Sequence, residues 1–333
     1  MEWCTTPRIY VENRRDRDPA YGMTETLLRT ALSRASAGRV TPLWVKVACD
    51  DARDAAAWAQ ADILVAGRLD TAAVAQMKNL KMIQCTSAGV EGYLPLDWMP
   101  PGVELFNASG AHAAKVSAFG AMAVMMLHER VPARIAAQNR RRWDRTLRPA
   151  PRGQHVLIYG AGALGGAVAE ALASLGFHVT GVARRPTGPR PGFAEIAGPD
   201  DLMRLLPTAD ILVVSAPLTD ETRGRFGLAE LRSLPPGAGV LNIARAGLMD
   251  YTALADLLEE GHLSGAILDV FETEPLPPDA RWWTVPNLMV FPHVSADDPT
   301  SYASACASIL ADNLAAMLRG APLRNHVDPR LGY

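Results

Sequence analysis

The run His155-Val156-Leu157-Ile158-Tyr159-Gly160-Ala161-Gly162-Ala163-Leu164-Gly165 decides how this chain is read. The first five residues are mostly apolar and predict a buried strand at His155–Gly160. The alanine-rich stretch Leu164–Leu175 predicts a helix, and a G-x-G-x-x-G turn joins the two. Each glycine has a physical reason to be there. Gly160 permits the tight turn, Gly162 lets backbone approach a pyrophosphate, and Gly165 lets helix and strand pack closely. Phosphate charge would sit at the helix N-terminus, where backbone N–H groups point outward. Gly160, Gly162, Ala163, Leu164 and Gly165 are therefore candidate contacts to a dinucleotide.

The next predicted strand, His178–Ala183, ends where a dinucleotide fold reads the adenosine ribose. An NAD site carries Asp or Glu there to accept from the ribose hydroxyls. This chain has Ala183 followed by Arg184 and Arg185. Two guanidiniums in place of a carboxylate favour a 2′-phosphate, so NADP (NADPH) is the expected cofactor, with NAD possible. The alternative is that both arginines are solvated residues of the Pro/Gly/Arg-rich loop Arg184–Pro191.

Outward from this unit, short β-rich runs alternate with helical ones. Strands are predicted at Arg8–Glu12, Val40–Val47, Ala61–Gly67, Met82–Thr86 and Val103–Asn107, with helices at Met23–Ala37, Asp50–Ala59 and Thr71–Lys78. A second series adds strands at Ala209–Ser215, Gly239–Ala244, Gly265–Val270 and Leu288–Phe291, with helices at Gly227–Leu234 and Tyr251–Glu260. Such alternation implies βαβ units around parallel sheets. The run Ala61-Asp62-Ile63-Leu64-Val65 recurs as Ala209-Asp210-Ile211-Leu212-Val213, an echo that fits two similar modules or a motif common to α/β proteins. Long helical runs at Ala111–His128 and Ser301–Arg319 flank the second series. The expected fold class is α/β: two Rossmann-like or flavodoxin-like domains with parallel sheets and an interdomain cleft. Residues 1–105 and 297–333 would form a substrate (catalytic) domain, and 106–296 a dinucleotide-binding Rossmann domain.

Composition excludes several other classes. The 333 residues are 49% hydrophobic with 33 Lys+Arg against 35 Asp+Glu, a formal net charge of −2. That length suggests about two domains, and the apolar content is too high for a disordered chain. With pI ≈ 6.4 there is no basic field for nucleic acid, and no apolar run approaches the ~18–20 residues of a membrane span. Met1–Tyr10 lacks the pattern of a signal peptide. The four scattered cysteines form no CxxC pair, which argues against disulfides and a structural metal and fits a reducing cytoplasm.

Downstream lie Asn242-Ile243-Ala244-Arg245-Ala246-Gly247, then Leu268-Asp269-Val270-Phe271-Glu272-Thr273-Glu274-Pro275, then Phe291-Pro292-His293. Taken singly, Arg245 reads as a surface charge, Glu274 as a turn residue and His293 as a core histidine. Together, each follows or ends a predicted strand of a parallel sheet, where ligands bind. Glu274 lies 29 residues after Arg245, and His293 a further 19. With Gly160-x-Gly162-x-x-Gly165, and with Ala216-Pro217-Leu218-Thr219 and Thr222, this set resembles the D-isomer-specific 2-hydroxyacid dehydrogenases. The tail Val327–Tyr333 is similar to the glyoxylate/hydroxypyruvate reductase branch, and Asn107 precedes the hinge helix as in that family.

The resemblance implies a mechanism. Arg245 would pair with the substrate carboxylate and carbonyl, a task that suits a forked guanidinium. His293 would be the acid/base, and Glu274 would orient it and favour its protonated form. Further cofactor contacts would come from Ala216, Pro217, Thr222, Ala244, Asp269 and His293, with Asp269 facing the nicotinamide carboxamide. Ser87, Ala88 and Gly89 resemble the substrate loop, whose amides meet the carboxylate together with Arg245 and His293. An ordinary turn is the other reading of that loop. Two departures stand out: Arg245-Ala246 replaces Arg-Gly, and Val116-Ser117-Ala118 replaces the hinge-helix Val-Ala-Glu. The implied activity is NAD(P)H-dependent reduction of a 2-oxo acid of the glyoxylate/hydroxypyruvate kind to the D-2-hydroxy acid. A bulkier substrate such as an aryl pyruvate and a dinucleotide-sensing binding protein are the alternatives. Relatives are usually dimers, so a homodimer is expected, with Trp143 either an interface anchor or an intramolecular core residue.

Overall fold

The structure, a computed structural model, describes residues 4–328; the tail from Pro329 to Tyr333 lies outside the described residues. The chain divides into two compact units, Met1–His112 with Asp298–Tyr333, and Ala113–Asp297.

Unit 1 is a five-stranded parallel sheet of β1 (Arg8–Asn13), β2 (Trp44–Cys49), β3 (Ile63–Ala66), β4 (Met82–Cys85) and β5 (Glu104–Phe106). The order is β2-β1-β3-β4-β5, the flavodoxin-like arrangement. Its helices are α1 (Glu25–Ser36), α2 (Ala55–Gln60) and α3 (Thr71–Val74). Tyr302, Cys306, Leu310 and Leu314, from the long helix that closes the chain, pack with Leu28 and Leu32 of α1 and with Ile9, Val11 and Val65 on one face of the sheet. Alternate strand residues, Tyr10, Leu64 and Ile83, fill the other face with Trp58 of α2. This is the two-residue period of a sheet covered on both sides.

Unit 2 carries α4 (Ala113–His128), α5 (Val131–Asn139), β6 (His155–Tyr159), α6 (Ala163–Ser174), β7 (His178–Val182), β8 (Glu195–Ala197), α7 (Leu202–Leu205), β9 (Ile211–Val214), α8 (Leu228–Arg232), β10 (Gly239–Asn242), α9 (Tyr251–Glu259), β11 (Gly265–Leu268) and β12 (Leu288–Val290). The closing helix of unit 1 is α10 (Tyr302–Arg319). The sheet of unit 2 runs β12-β11-β10-β9-β6-β7-β8, all parallel. From β6 outward this is the Rossmann order with one strand added at the far edge.

The Ala-Asp echo has a structural meaning. Asp62 accepts from the Arg8 N–H at 2.9 Å, and Asp210 accepts from the His155 N–H at 2.8 Å. Each carboxylate thus holds the leading amide of the first strand of its sheet beside the strand it precedes. The parallel continues on the other side, where Lys81 N–H donates to the Asp62 carbonyl and Gly239 N–H to the Asp210 carbonyl. Both modules start their central strand pair with the same device.

Several expected boundaries shift for local reasons. β2 begins at Trp44 rather than Val40: the Thr41 and Leu43 N–H groups reach the Thr5 and Pro7 carbonyls, but Pro7 has no N–H to donate back. α2 begins at Ala55 rather than Asp50, because Asp54 caps it by accepting from the Ala57 N–H at 3.1 Å. The unit boundary falls at His112 rather than 105: Asn107 N–H donates to the Asn325 carbonyl and Ala108 N–H to that of Ser87, which hold this stretch to unit 1. All four cysteines are free thiols. No helix among the described residues is long and apolar enough to cross a membrane.

Candidate active site

The turn after β6 is shaped by close backbone approach. Gly160 has φ +107°, and a Cβ there would strike the backbone of Ala216 just past β9. A Cβ on Gly165 would strike the Gly160 carbonyl. Both positions therefore exclude any larger residue. A Cβ on Gly162 would meet nothing, so protein packing leaves the space above it open. Gly162 is the N-cap of α6 and supplies no side-chain bond, which leaves the leading amides for a ligand. Ala163 and Leu164 form the first turn. This cradle fits a pyrophosphate.

Ala183, Arg184 and Arg185 come directly after β7, with Arg184 half-buried and Arg185 exposed. The structure adds a residue that the motifs do not include. The Arg190 guanidinium donates to the carbonyl of Arg185 at 3.0 Å and also to that of Ala161. One side chain thus ties the arginine loop to the glycine turn.

Arg245, Glu274 and His293 come after β10, β11 and β12 in turn, so they gather at the carboxyl edge of one sheet. His293 Nδ1 lies 2.7 Å from Glu274 Oε2. Since a carboxylate only accepts, Nδ1 carries the proton of that bond and Nε2 is left for chemistry. Glu274 is itself held, its Oε1 accepting from the Phe271 N–H at 2.8 Å. Both side chains are substantially exposed, as a ligand site requires. Arg245 is half-buried, and its guanidinium donates to the Ala244 carbonyl at 2.9 Å.

His293 has φ +55°, a region that costs a non-glycine residue of order 1–3 kcal/mol unless its surroundings hold it there. Asp269 does the holding. It has no exposed surface, and its two oxygens accept from the N–H groups of Val294 at 2.8 Å and Ser295 at 2.9 Å. The carboxylate is sealed inside and grips the backbone that presents His293.

Other candidate residues are also engaged locally. The Thr222 hydroxyl donates to the Pro217 carbonyl at 2.7 Å and accepts from the Thr219 N–H at 2.8 Å, which closes the loop beyond Ala216. In unit 1, Ser87, Ala88 and Gly89 form a half-buried bend after β4, with Ser87 Oγ donating to the Gly89 carbonyl at 2.8 Å. Among the described residues, no group of three His, Cys, Asp or Glu side chains could hold a metal ion.

The sequence profile for the D-isomer specific 2-hydroxyacid dehydrogenase, NAD binding domain, matches residues 121–295. The chain belongs to the D-isomer specific 2-hydroxyacid dehydrogenases. This dehydrogenase is 32% identical over 268 residues to glyoxylate/hydroxypyruvate reductase A of Photorhabdus laumondii, covering 78% of this chain and 84% of the relative. Among solved structures, a D-isomer specific 2-hydroxyacid dehydrogenase from Xanthobacter autotrophicus Py2, in complex with NADPH and MES, superposes with a TM-score of 0.81. It is 28% identical, covering 98% of this chain and 100% of that one. The NADPH-dependent glyoxylate/hydroxypyruvate reductase of Sinorhizobium meliloti, in complex with NADP and sulfate, gives 0.78 at 27% identity, covering 98% and 99%.

The hinge-helix departure has a local account in this dehydrogenase. Ala118 is exposed on α4, while its neighbours do the packing. Ser117 Oγ donates to the Ala167 carbonyl of α6 at 3.0 Å, and Gly120 lies so close to Val168 that a Cβ would not fit. Losing the acidic side chain at 118 therefore leaves the α4–α6 contact intact.

Proposed function

We propose that this dehydrogenase reduces a small 2-oxo acid, of the glyoxylate or hydroxypyruvate kind, to the D-2-hydroxy acid with NADPH. The observation that carries the reading is the gathering of Arg245, Glu274 and His293 at one sheet edge, with the 2.7 Å His293–Glu274 bond already formed. When bound, NADPH supplies the hydride. Arg245 binds the substrate carboxylate through its forked donors and polarises the C2 carbonyl. His293 gives a proton to the carbonyl oxygen as negative charge develops there, and Glu274 keeps the ring oriented. Gly160 to Gly165 hold the pyrophosphate, with Ala216, Pro217 and Ala244 lining the same edge. Unit 1, which bears the Ser87–Gly89 loop, is the proposed substrate domain, and unit 2 the cofactor domain. The test is the loss of NADPH absorbance on adding a panel of 2-oxo acids. Tight NADPH binding with no turnover of any member would favour a sensor instead.

NADPH is expected to be preferred over NADH by an order of magnitude or more. No carboxylate after β7 would hold the ribose diol or repel a 2′-phosphate. Arg184 and Arg185 can instead make charge-assisted bonds to the phosphate, roughly twice as strong as neutral ones. The Arg190 clamp keeps that loop beside the turn. Rising salt should weaken the preference, because exposed ion pairs are screened. Steady-state kinetics with both cofactors decide it. Equal use of NADH by the native enzyme, or discrimination that survives in the Arg184→Ala/Arg185→Ala variant, refutes the phosphate role.

The enzyme is also proposed to act as a homodimer. Trp143 is 93% exposed and Leu147 75% exposed, so Trp143 is no core residue of its own chain. Two large apolar side chains on one exposed stretch fit an interface. Sedimentation at micromolar concentration should show a dimer that Trp143→Ala weakens, and a native monomer would contradict it.

A further inference from the structure

Tyr251 opens α9 and belongs to none of the motifs that carry the family resemblance. Its ring is buried, edge-on to Phe271 and Trp282 with centroids 5.9 Å and 5.7 Å away. We infer that Tyr251 is a positioning residue for the substrate-binding guanidinium, its hydroxyl tying the turn that bears Arg245 to the strand exit that bears Glu274. The inference rests on the roles proposed above for Arg245 and Glu274.

The contacts form an unbroken series. Asn242, fully buried at the end of β10, accepts from the Ala244 N–H at 2.9 Å and donates through Nδ2 to the Arg245 carbonyl at 3.1 Å. The same Nδ2 donates to the Tyr251 hydroxyl at 3.0 Å, and that hydroxyl donates to the Val270 carbonyl at 2.8 Å. Next in sequence, the Phe271 N–H holds Glu274, and Glu274 holds His293. The directions are forced, because an amide nitrogen can only donate and a carbonyl can only accept. Burial also pushes the phenol well above its ordinary range, so Tyr251 stays neutral, with its proton engaged by the Val270 carbonyl. Its contribution is geometric. Without the hydroxyl, an Asn242 N–H and the Val270 carbonyl each lose a partner inside the protein, and the side-chain tie between the Arg245 turn and the β11 exit is lost, leaving the backbone bond from the Asp269 N–H to the Asn242 carbonyl. Small displacements of a binding group cost rate steeply.

Tyr251→Phe keeps the ring and removes both bonds. The readouts are kcat and KM for glyoxylate, or for the best substrate of the panel, together with NADPH affinity. Binding of oxamate, a non-reacting analogue of a 2-oxo acid, to the protein–NADPH complex is measured alongside. We expect kcat/KM to fall roughly tenfold on loss of the two bonds, mostly through KM. Oxamate affinity should fall in parallel and NADPH affinity should hold. In an Arg245→Lys background the same change should have a much smaller effect, because the two residues act through one interaction. Trp282→Phe thins the packing around the ring and leaves the hydroxyl bonds in place, so it should lower the melting temperature without moving KM. Unchanged KM and oxamate affinity in Tyr251→Phe, effects that add fully to those of Arg245→Lys, or an equal loss of NADPH affinity would overturn the positioning role. If Arg245→Lys itself leaves oxamate affinity and kcat/KM intact, the underlying reading fails instead, and the two failures are told apart.

Discussion

His293→Ala is expected to lower turnover about 10²–10⁴-fold, the usual contribution of a positioned general acid–base group, while NADPH affinity holds. The asymmetry comes from where the residues sit. His293 lies past β12, whereas the glycine cradle lies between β6 and α6, so truncating the imidazole leaves the phosphate site untouched. His293→Ala does not relieve the positive φ of 55°, since alanine keeps the Cβ. Asp269 would still grip Val294 and Ser295, so the variant should stay folded. Glu274→Gln should give a smaller loss than His293→Ala, because an amide still reaches Nδ1 but no longer stabilises positive charge on the ring. Single-turnover reduction with NADPH, read beside cofactor fluorescence, separates chemistry from binding. Near-native turnover in His293→Ala would remove the imidazole from the mechanism.

The features legible in the sequence and those hidden from it differ in physical range. The strand–turn–helix at His155–Ser174 is readable because its signals are local: an apolar run, glycines where backbone crowds backbone, and a helix-forming stretch. Arg245, Glu274 and His293 are readable because each lies just beyond a strand, and parallel strands bring the residues at their carboxyl ends to one edge. β8, three residues with an exposed first member at the sheet edge, carries too little apolar pattern to register. α5 escapes a reading of the sequence because Pro132 looks like a breaker, although at the start of a helix its missing N–H costs nothing. The partners of Asp269 lie 25 and 26 residues away, and Tyr251 meets Val270 across 19. Bonds of that reach leave no local trace. The grip of Asp269 on the backbone beside His293 is hidden from the sequence for the same reason.

Arg245→Lys is expected to cut kcat/KM by two orders of magnitude or more, with a larger share in KM than His293→Ala shows. Lysine keeps the charge, so the comparison isolates geometry. A guanidinium offers two parallel N–H donors to a carboxylate and fixes its plane, whereas an ammonium is a point charge on a flexible stem. Hydrogen bonds to charged groups contribute about 1.5–3 kcal/mol each, and about 1.4 kcal/mol is a factor of ten, so loss of the fork and of its grip on the carbonyl reaches about a hundredfold. The native turn is built to present the longer residue. Asn242 fixes the backbone on either side of it, and Arg245 braces its own guanidinium on the Ala244 carbonyl. A shorter ammonium loses that brace together with its reach. The effect should grow with the importance of the carboxylate, so a 2-oxo acid and its neutral ester make the sharpest pair. Arg245→Lys should narrow the preference for the acid over the ester, because the ester lacks the group the fork reads. A variant that keeps the native acid-to-ester ratio would show that the carboxylate is bound elsewhere.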